Sequence, residues 1–358
     1  MRIILITTAI IGLVISMCSN NKFISPDSDL IYYQGRIDTT EKTFYDIFWP
    51  GTSMAIKVNK GTVKVLLSDD IGQSYYNVII DGKHDTIIRP QKEKESFIIA
   101  SNLSEGEHTI EVFRRTEYTT GTTRFYGFEL SEGANPIPIE KRKIQMVCIG
   151  NSITTGYANE NPYGNDRPDS IFTNNYLAYG AIAARQLNAD YQCIARGGIG
   201  FMVSWHEVIM PEIFNLTNPN NSSILWNPQT YDQRIVVVNL GQNDSWIIPN
   251  PGFTEYKLRF GDKIVEEKDI EEAYMQFIKE VRSYYPNSYI ICALGSMDAV
   301  QEDSPWFGYI ENVVNKLKDP KISTLKFPFL AVKTHPTISD HKQMAGLLID
   351  HIKQNMLR

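Results

Sequence analysis

The sequence predicts a chain of two domains, an all-β sandwich followed by an α/β domain built on a parallel sheet. Three observations support this prediction. The 358 residues are enough for about two domains of ordinary size. Short segments of alternating polarity, separated by turn residues, fill residues 23–137. From residue 138 to 358, continuous apolar segments alternate with amphipathic helices, which is typical of a parallel sheet covered on both faces.

The composition is that of a folded globular protein. Hydrophobic residues make up 42% and charged residues 21% of the chain, which excludes a disordered chain and a coiled coil. The net charge is −6, so the chain lacks the basic surface of nucleic-acid-binding proteins and we expect no nucleic-acid partner. Aromatic residues reach 11%, a supply that suits either the stacking of sugar rings or an aromatic-rich core.

Residues 1–22 have the features of an export signal. Arg2 supplies a positive start, and an apolar stretch too short for a confident membrane span follows it up to residue 15. Cys18 then precedes a polar segment, as in a bacterial lipoprotein signal, although Met17 stands where such signals carry a small residue. We therefore expect an exported bacterial protein, periplasmic or on the outer membrane or cell surface, which contacts the membrane only through a lipid on Cys18. The alternative is an ordinary cleaved signal peptide with an incidental cysteine.

The all-β segment contains several runs that predict strands. Apolar residues alternate with polar ones over residues 54–58 and 63–67, and the hairpin-turn dipeptide Asp81-Gly82 follows an apolar run at residues 78–80. Further strands are predicted at residues 97–100, 109–113 and 125–130. A proline-containing polar connector at residues 134–142 marks the boundary between the two domains.

The second domain is predicted to alternate strands with helices. The predicted strands are residues 144–149, 191–195, 235–240, 289–294 and 327–332. Four helices are predicted. The first covers residues 175–188, the second begins at an Asp269 cap, the third begins at Ser304-Pro305, and the last begins near residue 339. Three cysteines, Cys148, Cys193 and Cys292, fall in the apolar runs, and their spacing fits no metal-binding pattern. We expect buried free thiols there, with a disulfide between two of them as the alternative.

Polar side chains and glycines follow four of these strands at their carboxyl ends, where parallel sheets bind ligands. The segments are Gly150-Asn151-Ser152, Arg196-Gly197-Gly198-Ile199-Gly200, Gly241-Gln242-Asn243-Asp244 and His335-Pro336. Acyl transfer requires a nucleophile, a general base and donors for the tetrahedral oxyanion. We therefore predict Ser152 as the nucleophile and His335 as the base. The oxyanion would bind the amides of Ser152 and Gly198 and the side chain of Asn243.

Each of these assignments has an alternative. Ser152 could simply cap a helix, Asn243 could join loops, and Gly197 competes with Gly198 as the oxyanion donor. Trp246, just after the third segment, either stacks on a sugar ring or packs under a loop. The other five histidines are predicted in the β-domain (His84, His108), in a loop (His206) and on the surface of the last helix (His341, His351).

In this order, the four segments resemble the sequence blocks of the SGNH (GDSL-like) hydrolase superfamily, and the chain resembles carbohydrate esterase family 2 within it. Further matching stretches are Trp49-Pro50-Gly51, residues 77–82, residues 150–157, residues 176–188 and His335-Pro336-Thr337. The resemblance implies a jelly-roll β-sandwich joined to an SGNH-type α/β/α domain. It also implies an acetylxylan-esterase-like enzyme whose partner is an acetylated plant polysaccharide or oligosaccharide. We expect no cofactor and no metal; the sequence does not indicate an oligomeric state.

Two positions depart from the family pattern. Asn151 replaces the Asp that usually precedes the serine, and an Asn can keep the turn if only a hydrogen bond is needed. The Asp that usually stands two or three residues before the histidine is absent, because Val332 and Lys333 occupy those positions. The sequence therefore predicts a Ser152–His335 dyad, in which a backbone carbonyl would align the imidazole, and it leaves a distant acid open.

Two other functions remain possible from the sequence. The first is another ester hydrolase on the same scaffold, such as a lysophospholipase or a thioesterase. The second is a non-catalytic carbohydrate-binding protein, which the missing acid favours.

Overall fold

The computed structural model describes residues 21–228, 233–330 and 334–356. Two antiparallel sheets form the N-terminal part and a parallel sheet forms the C-terminal part, which confirms the predicted architecture. Residues 1–20 of the predicted export signal, including Cys18, lie outside the described residues, as do Val332 and Lys333. Among the described helices, none has the length and apolar character needed to cross a bilayer.

The N-terminal part is a β-sandwich. Its strands are β1 (Lys22–Ile24), β2 (Ile31–Gln34), β3 (Ile37–Asp38), β4 (Tyr45–Ile47), β5 (Ser53–Val58), β6 (Gly61–Asp69), β7 (Tyr76–Ile80), β8 (Lys83–Ile88), β9 (Glu95–Leu103), β10 (His108–Arg114), β11 (Thr123–Leu130) and β12 (Pro136–Ile137). One sheet has the order β3-β4-β11-β6-β9, with β1 beside β11, and the other has the order β12-β5-β10-β7-β8, with β2 beside β5. Alternate residues of a strand face the same side, so Ile56, Val65, Val112 and Phe128 are fully buried between the sheets.

The C-terminal part is built on a parallel sheet of five strands. These are β13 (Ile144–Gly150), β14 (Ala189–Ala195), β15 (Gln233–Asn239), β16 (Tyr289–Leu294) and β17 (Ile322–Lys326). Their order is β14-β13-β15-β16-β17, and every neighbouring pair is parallel. The chain changes direction across the sheet at β13, so the carboxyl ends of β13 and β15 border the crevice in which open α/β sheets bind ligands.

Helices cover both faces of this sheet. The helices are α1 (Ser152–Thr155), α2 (Tyr179–Gln186), α3 (Met210–Ile213), α4 (Gln242–Ile247), α5 (Thr254–Phe260), α6 (Glu267–Tyr284), α7 (Trp306–Leu317) and α8 (Ile338–Asn355). Cys148 of β13 is buried with side chains of α2 and α8, and its neighbour Val147 is buried with those of α6 and α7. The predicted three-layer arrangement is thereby confirmed. Cys148, Cys193 and Cys292 are buried free thiols.

The prediction of the fifth strand at residues 327–332 is wrong, because β17 comes earlier, at Ile322–Lys326; residues 331 and 332 lie outside the described ranges. β17 pairs only with β16, and Ile322 is its one buried residue, so an edge strand lacks the continuous apolar run of a central one. The apolar residues after it serve as core instead. Phe327 is fully buried, and its amide donates to the Leu294 carbonyl at 2.9 Å. His335 consequently lies in the loop before α8.

Two predicted helix boundaries also differ. Asp269 is not the cap of α6 but its third residue, and its carboxylate accepts the amide of the capping residue Glu266 at 3.0 Å. That contact is half of a capping box, which a search for a single capping residue misplaces. The helix predicted at residues 175–188 is divided into a 3₁₀ turn, Asn175–Leu177, and α2.

His341 is fully buried, although the sequence predicts it on the surface of the last helix. This position of α8 faces α2, and its Nδ1 accepts the amide of Tyr179 at 3.3 Å. Burial lowers the pKa of His341 to about 3. The imidazole is therefore held neutral in the folded protein.

This burial predicts a loss of stability in acid. Between an unfolded-state pKa of about 6.5 and the folded-state pKa of about 3, the unfolded chain binds a proton at His341 that the folded chain does not. The free energy of unfolding is therefore expected to decrease as the pH falls through this window. Urea denaturation at a series of pH values should show a weaker pH dependence for His341→Gln than for the wild type.

His84→Gln serves as the control, because His84 is an exposed histidine of the β-sandwich. Burial also lowers the pKa of His206, to about 4, so the pH dependence should be reduced in His341→Gln rather than abolished. An unchanged slope in that variant would contradict the prediction.

The β-sandwich packs directly against the α/β domain through buried polar and aromatic side chains. Trp49 Nε1 donates to the Thr217 carbonyl at 2.9 Å, and Asn77 Nδ2 donates to Asn174 Oδ1 at 3.0 Å. Trp49 also belongs to the buried cluster on the α6–α7 face of the parallel sheet. These contacts place one end of the β-sandwich beside the carboxyl edge of that sheet.

Candidate active site

Ser152 is the first residue of α1 and lies two residues after the end of β13. The turn before it requires a glycine, because a Cβ on Gly150 would lie 2.0 Å from Thr154 Oγ1. Asn151 caps the short helix, and its Oδ1 accepts the amide of Ile153 at 3.0 Å. An Asn at this position therefore keeps the hydrogen bond of the turn. The arrangement leaves Ser152 8% exposed, at the floor of a cleft.

The structure brings Ser152 and His335 together, although 183 residues separate them. His335 Nε2 lies 2.8 Å from Ser152 Oγ. At this distance the imidazole can accept the serine proton. The ring of Tyr157 packs beside the imidazole, with 4.8 Å between the ring centroids.

An acid that the sequence analysis did not identify completes this arrangement. Asp166 Oδ2 lies 2.8 Å from His335 Nδ1, and Asp166 Oδ1 accepts the His335 backbone amide at 2.9 Å. The predicted dyad, in which a backbone carbonyl aligns the imidazole, is therefore wrong. Asp166 is the distant acid that the sequence left open. Burial alone would raise the pKa of Asp166, but the hydrogen bonds from His335 outweigh burial and hold the pKa of this carboxyl below its usual value. Asp166 is thus ionised and can stabilise a protonated imidazole.

The loop that carries Asp166 is anchored by the β-sandwich. Arg115 is buried, and its guanidinium donates to the carbonyls of Thr173 at 3.3 Å and Ile171 at 2.7 Å. It also forms an ion pair with Glu160. No motif marks this loop in the sequence. The one available signal was indirect, namely the missing acid before His335.

The two rival glycines differ in whether their amides are occupied. The Gly197 amide donates to Glu117 Oε2 at 2.8 Å. Among the described residues, no acceptor pairs with the amide of Gly198 or with that of Ser152. Gly198 adopts a φ of +76°, which favours glycine, and it lines the cleft. The geometry therefore favours Gly198 over Gly197 as the donor.

Asn243 lies at the start of α4 and also lines the cleft. Its Nδ2 donates to the Ile199 carbonyl at 2.8 Å, which orients the carboxamide and leaves its second N–H for a ligand. Asp244 stabilises the same region, because its buried carboxylate accepts the amides of Phe201, Met202 and Val203. Burial raises the pKa of Asp244 to about 6 despite these hydrogen bonds.

The cleft above Ser152 has a volume of about 490 Å³ and is lined by residues of both domains. Thr116, Glu117, Thr119 and Thr120 of the β-sandwich form one wall. Trp205 and Trp246 line other parts of the cleft, and Trp246 is held by hydrogen bonds from its Nε1 to the carboxylate of Asp298, the shorter at 2.7 Å. Within the described ranges, no group of three or more His, Cys, Asp or Glu side chains is arranged to hold a metal ion.

Comparison with known sequences identifies relatives of the whole chain. Residues 33–139 match the family model described as carbohydrate esterase 2 N-terminal. The cellulase/esterase CelE of Acetivibrio thermocellus is 30% identical over 352 residues, which cover 93% of this chain and 40% of that protein. The chain thus spans less than half the length of that relative. An acetylxylan esterase / glucomannan deacetylase of Cellvibrio japonicus is 24% identical over 97% of this chain and 98% of that protein.

Comparison with solved structures leads to the same family. A family two carbohydrate esterase from Clostridium thermocellum, in complex with cellohexaose, has a TM-score of 0.76 at 26% identity, over 90% of this chain and 98% of that chain. A family two carbohydrate esterase from Cellvibrio japonicus has a TM-score of 0.80 at 20% identity, over 94% of this chain and 98% of that chain, and shows the likeness of fold. The β-sandwich thus matches the carbohydrate esterase 2 family model, and along nearly its whole length the chain is similar to family two carbohydrate esterases and shares their SGNH-like fold.

Proposed function

We propose that the protein is a serine esterase that removes acetyl groups from O-acetylated plant polysaccharides or oligosaccharides. The observation that carries this proposal is the hydrogen-bonded series Asp166–His335–Ser152, with 2.8 Å at each step between side chains. The names of the relatives support the substrate class, since one is called an acetylxylan esterase / glucomannan deacetylase. A related structure was solved with cellohexaose bound, which supports a carbohydrate in the cleft.

In the acylation step, Ser152 Oγ attacks the ester carbonyl carbon while His335 Nε2 takes the serine proton. The carbonyl oxygen becomes an oxyanion, which accepts hydrogen bonds from the amides of Ser152 and Gly198 and from Asn243 Nδ2. Asp166 stabilises the imidazolium. The bond from the carbonyl carbon to the sugar oxygen then breaks, and His335 gives its proton to that oxygen, which leaves as a sugar hydroxyl group.

Deacylation repeats these steps with water. His335 takes a proton from the water as its oxygen attacks the acetyl-Ser152 carbonyl, and the same three donors hold the second oxyanion. Collapse of this intermediate returns the proton from His335 to Ser152 and releases acetic acid, which loses its remaining proton to the solvent to give acetate. Atoms and charges balance with water as the only co-reactant.

Asn243→Ala is expected to lower kcat by about 10²–10³-fold, which corresponds to about 2.7–4 kcal/mol of transition-state stabilisation for one oxyanion donor. KM should change much less, because the donor meets full negative charge only in the transition state. Steady-state kinetics on a soluble acetyl ester measure both constants. Asn312→Ala is the matched control, since Asn312 pairs with Glu271 between α6 and α7. A wild-type kcat in Asn243→Ala would show that Asn243 is not an oxyanion donor.

The proposed activity is tested by acetate release from acetylated xylan, acetylated glucomannan and simple acetyl sugars, with Ser152→Ala as the blank. A series of p-nitrophenyl esters of increasing chain length separates the deacetylase from a lysophospholipase or a thioesterase. Preference for long acyl chains would overturn the acetyl assignment. Glycan binding without acetate release would favour a binding protein, although the contact of Asp166 with His335 removes the argument that first supported it.

We propose that Trp246 forms a platform for a sugar ring. Its indole is held by Asp298 while the residue lines the cleft, and indole faces suit the apolar face of a pyranose. Trp246→Ala is expected to raise KM on acetylated oligosaccharides by about tenfold, equivalent to about 1.4 kcal/mol, with little effect on p-nitrophenyl acetate. Trp246→Phe, which retains an aromatic face, is the control. An equal loss on both substrates would indicate packing instead.

We also propose export, with lipid attachment at Cys18. The support is the order of Arg2, an apolar stretch, Cys18 and a polar segment. Expression of the full chain in a bacterium, followed by detergent phase partition and mass spectrometry of the mature N-terminus, tests this. Cys18→Ala should leave the detergent phase, whereas cleavage at another bond without lipid would support an ordinary signal peptide.

A further inference from the structure

Glu117 is a buried carboxylate of the β-sandwich that reaches the Gly-Gly turn of the α/β domain. It lies between β10 and the 3₁₀ turn Tyr118–Thr120, is 8% exposed and lines the cleft. Its backbone is held by Arg114, which is fully buried and donates from Nη2 to the Glu117 carbonyl at 2.9 Å and to the Gly121 carbonyl at 2.6 Å. The backbone that carries the Glu117 carboxylate is therefore fixed by hydrogen bonds.

The two oxygens of this carboxylate contact the two segments that carry the proposed oxyanion amides. Oε2 accepts the Gly197 amide at 2.8 Å, one residue before Gly198. Oε1 accepts the Thr155 hydroxyl at 3.3 Å, in the helix that begins with Ser152. A Cβ on Gly197 would lie 3.0 Å from Oε1, so the close approach of the carboxylate gives a physical reason for the first glycine of the pair.

An anchor is needed at this place because two successive glycines have large conformational freedom. Gly198 has a φ of +76°, and rotation of the turn would carry its amide away from the cleft. Oxyanion donors act by being correctly oriented before the reaction, at about 2.7–3.1 Å from the developing charge. Burial raises the pKa of Glu117, and the hydrogen bonds from the Gly197 amide and the Thr155 hydroxyl partly offset this effect.

We propose that Glu117 is a positioning residue which fixes the oxyanion turn by holding the Gly197 amide. The β-sandwich then contributes to stabilising the transition state and is more than a wall of the cleft. This inference rests on the proposed serine esterase mechanism, but it concerns a residue to which the sequence assigned no role.

Three variants of the full-length chain test the inference. Glu117→Ala removes the acceptor, and Glu117→Gln keeps a carbonyl oxygen that can still accept the Gly197 amide. Glu111→Gln is the matched control, because Glu111 is a β-sandwich carboxylate that bonds to Ser53 and Gln34 and lies outside the catalytic cleft. Each variant is assayed for kcat, KM and thermal midpoint. The rate at which a p-nitrophenyl phosphonate modifies Ser152 is also followed by mass spectrometry.

In Glu117→Ala we expect kcat to fall by about 10–100-fold, somewhat less than for the loss of a whole donor. KM should stay within about threefold, because ground-state binding is not altered. Glu117→Gln should recover most of kcat, Glu111→Gln should retain it, and phosphonylation should slow in parallel with kcat. Wild-type kcat in Glu117→Ala would overturn the inference, as would equal losses in the Ala and Gln variants or a lower thermal midpoint with normal kcat.

Failure of the proposed function gives a different result. If the wild type releases no acetate from any ester, the esterase assignment fails. The phosphonylation rates still test the positioning role, because that reaction needs Ser152, its base His335 and the oxyanion donors but no acetyl ester.

Discussion

Ser152→Ala is expected to lower kcat by about 10⁶-fold, the size of effect seen when a serine hydrolase loses its nucleophile. The hydroxyl lies 2.8 Å from His335 Nε2, and alanine offers no atom that can form the acyl-enzyme. KM should change little, because the cleft and the oxyanion donors remain. Steady-state kinetics and a search for acetyl-Ser152 by mass spectrometry after rapid acid quenching measure the effect.

Ser170→Ala is the matched control for this variant. Ser170 lines the same cleft, but its hydroxyl donates to the Gln73 carbonyl at 3.0 Å, whereas the His335 ring is hydrogen-bonded to Asp166 and Ser152. It should retain kcat. Acetate release by Ser152→Ala near the wild-type rate would mean that another group is the nucleophile, and the mechanism above would be abandoned.

Asp166→Ala is expected to lower kcat by about 10²–10⁴-fold; the upper value is that of a serine protease whose triad acid is disabled. Asp166 accepts hydrogen bonds from both Nδ1 and the backbone amide of His335, so its loss removes the orientation of the ring and the charge that stabilises the imidazolium. The pKa of this carboxyl lies below its usual value. Asp166 should therefore stay ionised into mild acid and should not itself limit activity there.

Asp169→Ala is the matched control, because Asp169 lies three residues along the same loop and forms an exposed ion pair with Arg167. Asp166→Asn gives a further distinction, since an amide can still accept the backbone N–H of His335 but carries no charge. Activity near wild type in both Asp166 variants would restore the dyad that the sequence predicted. Loss of activity together with a large fall in thermal midpoint would instead identify Asp166 as a structural residue.

The elements of the α/β domain could be predicted where the sequence pattern is local. β13 is buried on both faces, so it appears as an uninterrupted apolar run, and the polar segment after it marks the carboxyl edge. β17 lies at the sheet edge with a single neighbour, and its half-exposed residues gave no such run. The prediction therefore moved to the more apolar residues that follow it. His341 was misplaced for a similar reason, because one polar residue in a helix does not reveal which neighbour it faces.

The order of strands and helices could be predicted from the amino-acid sequence alone. So could the segments containing Ser152, Gly198, Asn243 and His335, because the ends of parallel strands meet at one edge of a sheet. The contact of Asp166 with His335, and that of Glu117 with the Gly197 amide, which leaves the amide of Gly198 unpaired among the described residues, are visible only in the folded chain. These contacts join loops that are distant in the chain and that the β-sandwich holds in place through Arg115 and Arg114. Such pairings depend on how two domains pack, and hydrophobic periodicity predicts single helices and strands but not the packing between domains.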